Sequence, residues 1–308
     1  MPDTHRILLT GSQGFVGKNV QEYFKNSTSI TLHCPSEAEL DLTDSCAVMS
    51  CMREFEPTLI VHAATGNISG KSYPPNVCEQ NLRMYFNLLR HRPSDCILYS
   101  LCSGSSYDRN NWMENMPEDY LGKHIPTDPQ GFSKFVISSH AATERNVVIL
   151  RLFGIFGKYE DYRNKFISNT IAKRLMNMEI TLVKNARYDY LDVIDFCRIL
   201  HQLIQLNVST GVYNVTPDQS TTLSNIINTV DQVMRVDCGH KVLEEGWGKP
   251  YTGMNERLRG ILPKFEFTPL EASIHNLIQF YRVNKHMLDR HELEKDSFLE
   301  YAKSINGK

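Results

Sequence analysis

No apolar run in this 308-residue chain approaches the ~18 residues that a membrane-spanning helix needs. Long runs of one charge are absent too: 33 Lys and Arg stand against 35 Asp and Glu, for a formal net charge of −2. Nucleic acid or a membrane surface would ask for a basic cluster, so neither partner is expected. The eight cysteines include no CxxC pair, and the eleven histidines show no ligand spacing, so no metal is expected. Several cysteines lie in apolar segments such as 96-CILYSLC-102. That suits buried thiols in a reducing compartment better than disulfides. Met1 to Arg6 lack a signal-peptide pattern, and a cytoplasmic location is the expectation. No Gly/Ser linker, internal repeat or low-complexity block divides the chain.

With 41% hydrophobic and 22% charged residues, the composition is that of an ordinary globular protein with a substantial core. Short apolar runs at 6–10, 29–34, 58–64, 96–103 and 147–153 read as buried strands. Helical spacing at 14–25, 45–55, 76–91 and from about 131 alternates with them. Each connection is long enough for a crossover, so the fold class is α/β, a Rossmann-type doubly wound parallel sheet. The pattern changes after residue 154. Helices are expected at 164–177, 193–206, 222–234 and 270–285, strands at 179–183 and 211–216, and a charged tail at 286–308. Residues 1–154 are thus expected to bind a dinucleotide. Residues 155–308 are expected to form a smaller α/β substrate-binding part, with some strands and helices returning to the first.

The first strand runs into 10-TGSQGFVGKNV-20, where Gly11, Gly14 and Gly17 give the spacing GxxGxxG. Missing Cβ atoms let the turn tighten and let backbone approach a pyrophosphate, while the following helix offers its N-terminal N–H groups. Gln13, Phe15 and Val16 belong to the same candidate cradle. The second strand ends in 32-LHCPSEAE-39, with no acid at its tip to hold a ribose hydroxyl. NADP(H) is favoured over NAD(H) for that reason. Asp41, with Leu42, is read as near the adenine or as a cap for the next helix.

These residues resemble the extended short-chain dehydrogenase/reductases, the NAD-dependent epimerase/dehydratase family that modifies nucleotide sugars. The landmarks are 10-TGSQGFVG-17, 41-DLTD-44, 61-VHAA-64, Asn81, 100-SLCSGSSY-107, 131-GFSK-134, 150-LRLFGIFG-157 and 187-RYDYLDVID-195. The GDP-fucose synthase branch is nearest in likeness. The resemblance implies a cofactor cleft lined by Ala63 and Ala64 and a catalytic Ser103 on the substrate keto oxygen. It implies Lys134 on the nicotinamide ribose and Arg187 on the substrate diphosphate. Trp247, Tyr251, Asn255, Arg257 and Arg259 fall where relatives contact the nucleotide, and helices 76–91 and 131–145 where they form homodimers.

One position breaks the pattern. The family's YxxxK places Tyr four residues before the lysine, and Gln130 stands there. A carboxamide polarises a ketone but has no proton to give at useful pH. Candidates for the missing acid are Tyr107, Tyr120, Lys165, or a water relayed by Ser103 and Lys134. The epimerising branch also uses a Cys two residues after the serine and a His near the helix after the sixth strand. Here Ser105 and Lys165 stand there, beside Asn164, which argues against epimerisation. Three functions stay open: reduction of a nucleotide-linked 4-keto deoxy sugar, an epimerase or dehydratase with tightly held NAD, or a non-catalytic dinucleotide binder.

Overall fold

The computed structural model describes residues 5–66 and 73–306, which leaves the last two residues of the charged tail outside it. In chain order come β1 (His5–Thr10), α1 (Phe15–Phe24), β2 (Ile30–His33), α2 (Ser45–Phe55), β3 (Leu59–His62) and α3 (Val77–His91). Then follow β4 (Ile97–Ser103), α4 (Pro129–Ala141), β5 (Val147–Leu152), β6 (Gly154–Phe156) and α5 (Phe166–Leu175). The rest is β7 (Thr181–Leu182), β8 (Arg187–Tyr188), β9 (Tyr190–Asp192), α6 (Val193–Gln205), β10 (Gly211–Val215), β11 (Thr221–Thr222) and α7 (Leu223–Met234). Last come β12 (Lys241–Val242), α8 (Glu256–Ile261), α9 (Leu270–Val283), α10 (Arg290–Glu294) and α11 (Ser297–Asn306).

Six strands form one parallel sheet in the order β10-β5-β4-β3-β1-β2. Every residue of β3 and β5 is buried, as a strand covered on both faces requires. One face packs on α1, α6 and α8 through Val20, Phe24, Phe196, Leu200 and Leu258. The other packs on α2, α3 and α4 through Val48, Met52, Tyr85, Leu88 and Ile137. The fold is the doubly wound α/β class. A further apolar cluster joins α5, α7 and α9 through Ile167, Ile171, Ile226, Ile227, Ile274 and Ile278. The strand β10 and the helix α6 return from the second half to the main sheet.

Local chemistry sets the helix ends that matter for function. Asp44 caps α2 by accepting the N–H groups of Cys46 and Ala47. Asp128 caps α4, accepting the Gly131 N–H at 2.8 Å, and Pro129 occupies the first helical position, where its missing N–H costs nothing. The helix starts two residues ahead of the expected Gly131, so Gln130 lies inside its first turn. Between β4 and α4 the expected polar loop contains three single turns of 3-10 helix, the first at Gly104–Ser106.

Candidate active site

Gly11 takes φ +70°, and its carbonyl accepts the Gly14 N–H at 3.0 Å. A Cβ on Gly11 would stand 2.5 Å from the Ala64 nitrogen, and one on Gly17 only 2.1 Å from the Gly11 oxygen. Those neighbours are backbone and cannot swing aside, so both positions admit only glycine. The turn presents Gly14 as N-cap of α1, with no side-chain cap and no acid in the first turn. The helix therefore keeps its first N–H groups and positive dipole end for an anion. Gln13 and Gly14 are exposed at the tip of the turn, with Phe15 and Val16 half-buried behind them. A cradle that a Cβ would fill, opening on an uncapped helix, fits a dinucleotide pyrophosphate.

Two acids near this cradle find definite places. Asp41 accepts the N–H and hydroxyl of Thr43 at 2.8 and 2.7 Å and stays exposed, with Leu42 buried beside it. Since Asp44 is the cap of α2, Asp41 is not needed for that task. Glu39 folds back so that its carboxylate accepts the N–H and hydroxyl of Ser36 at 2.7 and 2.8 Å. The Ser36 backbone bond, helped by its hydroxyl, holds Glu39 below the usual carboxylate range. This carboxylate is held on the Ser36 turn, beyond the last residue of β2.

The reacting end gathers residues from α3, β4, α4 and a distant loop. Lys134 is buried, its ammonium reaches the Leu101 carbonyl at 3.4 Å, and burial pushes its pKa down. His62 lies close to it; burial first, then Lys134, drives the imidazole down to about 3, and its Nδ1 meets the Thr10 hydroxyl at 2.8 Å. Ser103 is half-buried; its Oγ accepts the Ser105 N–H at 3.1 Å and lies 3.4 Å from the Tyr251 hydroxyl.

Gln130 is 6% exposed, and its orientation can be traced to an unambiguous donor. The Gly66 N–H donates to Asn81 Oδ1 at 2.7 Å. Asn81 must therefore turn its Nδ2 toward α4, where it donates to Gln130 Oε1 at 2.8 Å and to Ser133 Oγ at 3.0 Å. Gln130 is left with its Nε2 end as donor. It can polarise a ketone oxygen, and it has no proton to transfer.

Among the candidates for the missing acid, Tyr107 is tied up elsewhere. Its hydroxyl accepts from Arg151 at 2.7 Å and donates to Asn214 at 3.0 Å, on a side chain only 1% exposed. Lys165 is exposed at the N-cap of α5, and Asn164 beside it donates to Asp161 at 2.7 Å. Tyr120 packs against His124. The phenol that does meet Ser103 belongs to Tyr251, one of the residues that the resemblance groups with the nucleotide contacts.

The rim supplies charge and unused donors. Arg187 pairs with Glu114 at 3.0 Å, both side chains partly open to solvent. Arg257 donates its N–H to Glu118 at 3.0 Å. Trp247 is 64% exposed. Ser105 Oγ, Ser106 Oγ, Arg109 Nε and Trp112 Nε1 are buried without a hydrogen-bond partner among the described residues. Arg109 Nε faces the Asp128 carboxylate at 3.8 Å, which leaves the two serine hydroxyls and the indole N–H of this segment as polar groups that a ligand or water could engage. Among the described residues no group of three or more His, Cys, Asp or Glu is placed to hold a metal, and no helix is long and apolar enough to cross a membrane.

The family profile described as NAD dependent epimerase/dehydratase matches residues 7–216. The chain belongs to that family. This member is 26% identical over 190 residues to GDP-L-colitose synthase of Yersinia pseudotuberculosis, a match spanning 56% of this chain and 61% of that protein. It is 24% identical over 303 residues to GDP-6-deoxy-D-mannose reductase of Pseudomonas aeruginosa, spanning 85% and 98%. Among solved structures, a GDP-L-fucose synthetase from Naegleria fowleri shares the fold with TM-score 0.78 at 15% identity, covering 94% of this chain and 96% of that one. That synthetase has also been solved bound to NADP.

Proposed function

We propose that this protein is an NAD(P)H-dependent reductase of the 4-keto group of a nucleotide-linked deoxy sugar, with GDP as the expected nucleotide. One observation carries the reading: Ser103, Lys134 and the Nε2 end of Gln130 belong to neighbouring stretches of β4 and α4, beside a glycine cradle that fits a pyrophosphate. The named activities of the Yersinia and Pseudomonas relatives point to the same substrate class.

Gly11, Gly14 and Gly17 hold the pyrophosphate by backbone, with Gln13, Phe15 and Val16 completing the turn and Ala63 and Ala64 lining the cleft. Asp41 and Leu42 border the adenine end. The bound nicotinamide supplies hydride. Lys134 holds the nicotinamide ribose, Ser103 holds the ketone oxygen, and Gln130 polarises it. Arg187 and Arg257 face the substrate phosphates, with Ser105, Asn164 and Lys165 nearer the sugar. Residues 1–154 thus mainly hold the cofactor and 155–308 mainly the sugar nucleotide. Phe86 on α3 and Phe132 on α4 are exposed, which supports pairing of two copies through those helices. Eight free cysteines suit a reducing, cytoplasmic setting.

The test is purified protein with NADPH or NADH and a panel of 4-keto-6-deoxy sugar nucleotides. Loss of absorbance at the reduced nicotinamide band, with a matching alcohol product, is the expected result. Gln130 favours one rival, a binder without turnover; binding of both ligands with no oxidation of the cofactor would decide for it.

A further inference from the structure

We propose that Tyr251 is the proton donor of this reaction, taking the role that the residue at position 130 no longer fills. The assignment rests on the reductase reading above. A serine that holds a ketone oxygen brings its own neighbours onto that oxygen, and the Tyr251 hydroxyl lies 3.4 Å from Ser103 Oγ. Tyr107 is locked by Arg151 and Asn214, and Lys134 is turned to the Leu101 carbonyl.

The phenol is held from every side. Its backbone joins β8: the Tyr251 N–H donates to the Arg187 carbonyl at 2.9 Å, and its carbonyl accepts the Asp189 N–H at 3.1 Å. The Asp189 carboxyl then accepts the Gly253 N–H at 2.8 Å. The segment that carries the diphosphate arginine therefore also fixes the donor. Trp112 packs on the ring at 4.3 Å between centroids and Phe153 at 5.0 Å. A Cβ at residue 104 would stand 2.8 Å from the phenol oxygen, so Gly104 is the opening that admits it. Burial pushes the phenol well above its usual range, opposed by the Ser103 hydrogen bond and the nearby Arg109 charge, so it stays protonated at neutral pH.

The step balances simply. As C4 of the sugar accepts hydride from the reduced nicotinamide, the carbonyl π pair moves onto oxygen. That oxygen takes the phenol proton: one O–H bond breaks on Tyr251 and one forms on the product alcohol. The phenolate, with Arg109 close by, recovers a proton from water before the next turnover.

The change Tyr251→Phe keeps the ring and removes only the hydroxyl. In single turnover its hydride step should fall by ~10²–10⁴-fold, the usual worth of a general acid. Calorimetric affinity for the sugar nucleotide and the melting temperature should stay close to wild type. Adding Gln130→Tyr to Tyr251→Phe should recover part of the rate, since it places a phenol one helical turn before Lys134. A Tyr251→Phe protein that reduces the ketone as fast as wild type overturns the assignment, and so does a loss explained wholly by weaker substrate binding. If wild type itself oxidises no NADPH or NADH with any 4-keto sugar nucleotide, the reductase reading falls and the donor role falls with it.

Discussion

On the proposed reading, the phosphate turn and the reacting end of the cleft would hold their ligands by opposite means. Gly11 and Gly17 act through atoms they do not have, and the space each leaves is bounded by backbone. Ser103, Gln130, Lys134 and Tyr251, in the roles proposed for them, would act through polar atoms delivered from separate elements. A turn built on missing atoms accepts no substitute. A site built on side chains can pass a task from one element to another, provided the new group reaches the same point. On the proposed reading, that is how Gln130 can stand one helical turn before Lys134 while the cradle stays intact.

The sharpest way to break this contrast is Gly17→Ala. Its Cβ would collide with the Gly11 carbonyl, so overpacking should cost the upper end of ~1–3 kcal/mol in thermal unfolding. Nicotinamide binding, followed by fluorescence, should be lost. Tight binding by the variant would show that the cofactor sits elsewhere. Arg187→Ala comes next. Hydrogen bonds to charged groups contribute ~1.5–3 kcal/mol, so KM for the sugar nucleotide should rise ~10–100-fold. Turnover at saturation and cofactor affinity should hold, because the arginine grips ground state and transition state alike.

The same contrast explains what the sequence made legible. The cradle is one contiguous strand–turn–helix, and its glycine spacing can be read directly. Helix α2 falls on the expected residues 45–55 because a capping Asp and an apolar stripe mark it. The start of α4 was expected two residues late, since Pro129 reads as a breaker until Asp128 is seen to cap the turn. Tyr107 follows Ser103 closely in sequence, but the 3-10 turn at Gly104–Ser106 sends its ring back into the core. Tyr251 lies 148 residues from the serine it meets. Its segment has no periodicity, and pairing with β8 on one side and with Met116 on the other carries it there. The fold-back of Glu39 onto Ser36 is likewise a contact that spacing alone does not announce.

Glu160 separates burial for function from burial for packing. Like Lys134 it is buried and titratable, but it belongs with the second-half helices, where Ser168 donates to it at 2.6 Å. Burial raises its carboxyl to about 8, despite the Ser168 bond and the Lys165 charge. A folded-state value above the unfolded one means the folded chain binds the extra proton. The stability it contributes is complete below the ordinary carboxylate range and is lost as pH climbs through about 8. Wild type should therefore melt earlier at pH 9 than at pH 5, while Glu160→Gln should melt later than wild type at pH 9 and match it at pH 5. Ketone reduction should be untouched at neutral pH. An equal decline in both proteins would show that the carboxyl ionises freely in the fold.

The smallest effect belongs to Glu114, which occupies Arg187 at 3.0 Å. A diphosphate reaching that guanidinium must first displace a carboxylate of its own sign. Both side chains are partly exposed, so solvent screening leaves the pair worth only ~0.2–1 kcal/mol. Glu114→Gln keeps the shape and removes the charge, and KM for the sugar nucleotide should fall by roughly two- to fivefold. The gain should shrink as salt rises, because screening acts within ~10 Å at 0.1 M ionic strength. Cofactor affinity should not move, since the cradle works by backbone alone. If KM rises instead, Glu114 orients the arginine for the substrate, and this corner of the rim is preorganised like the glycine turn.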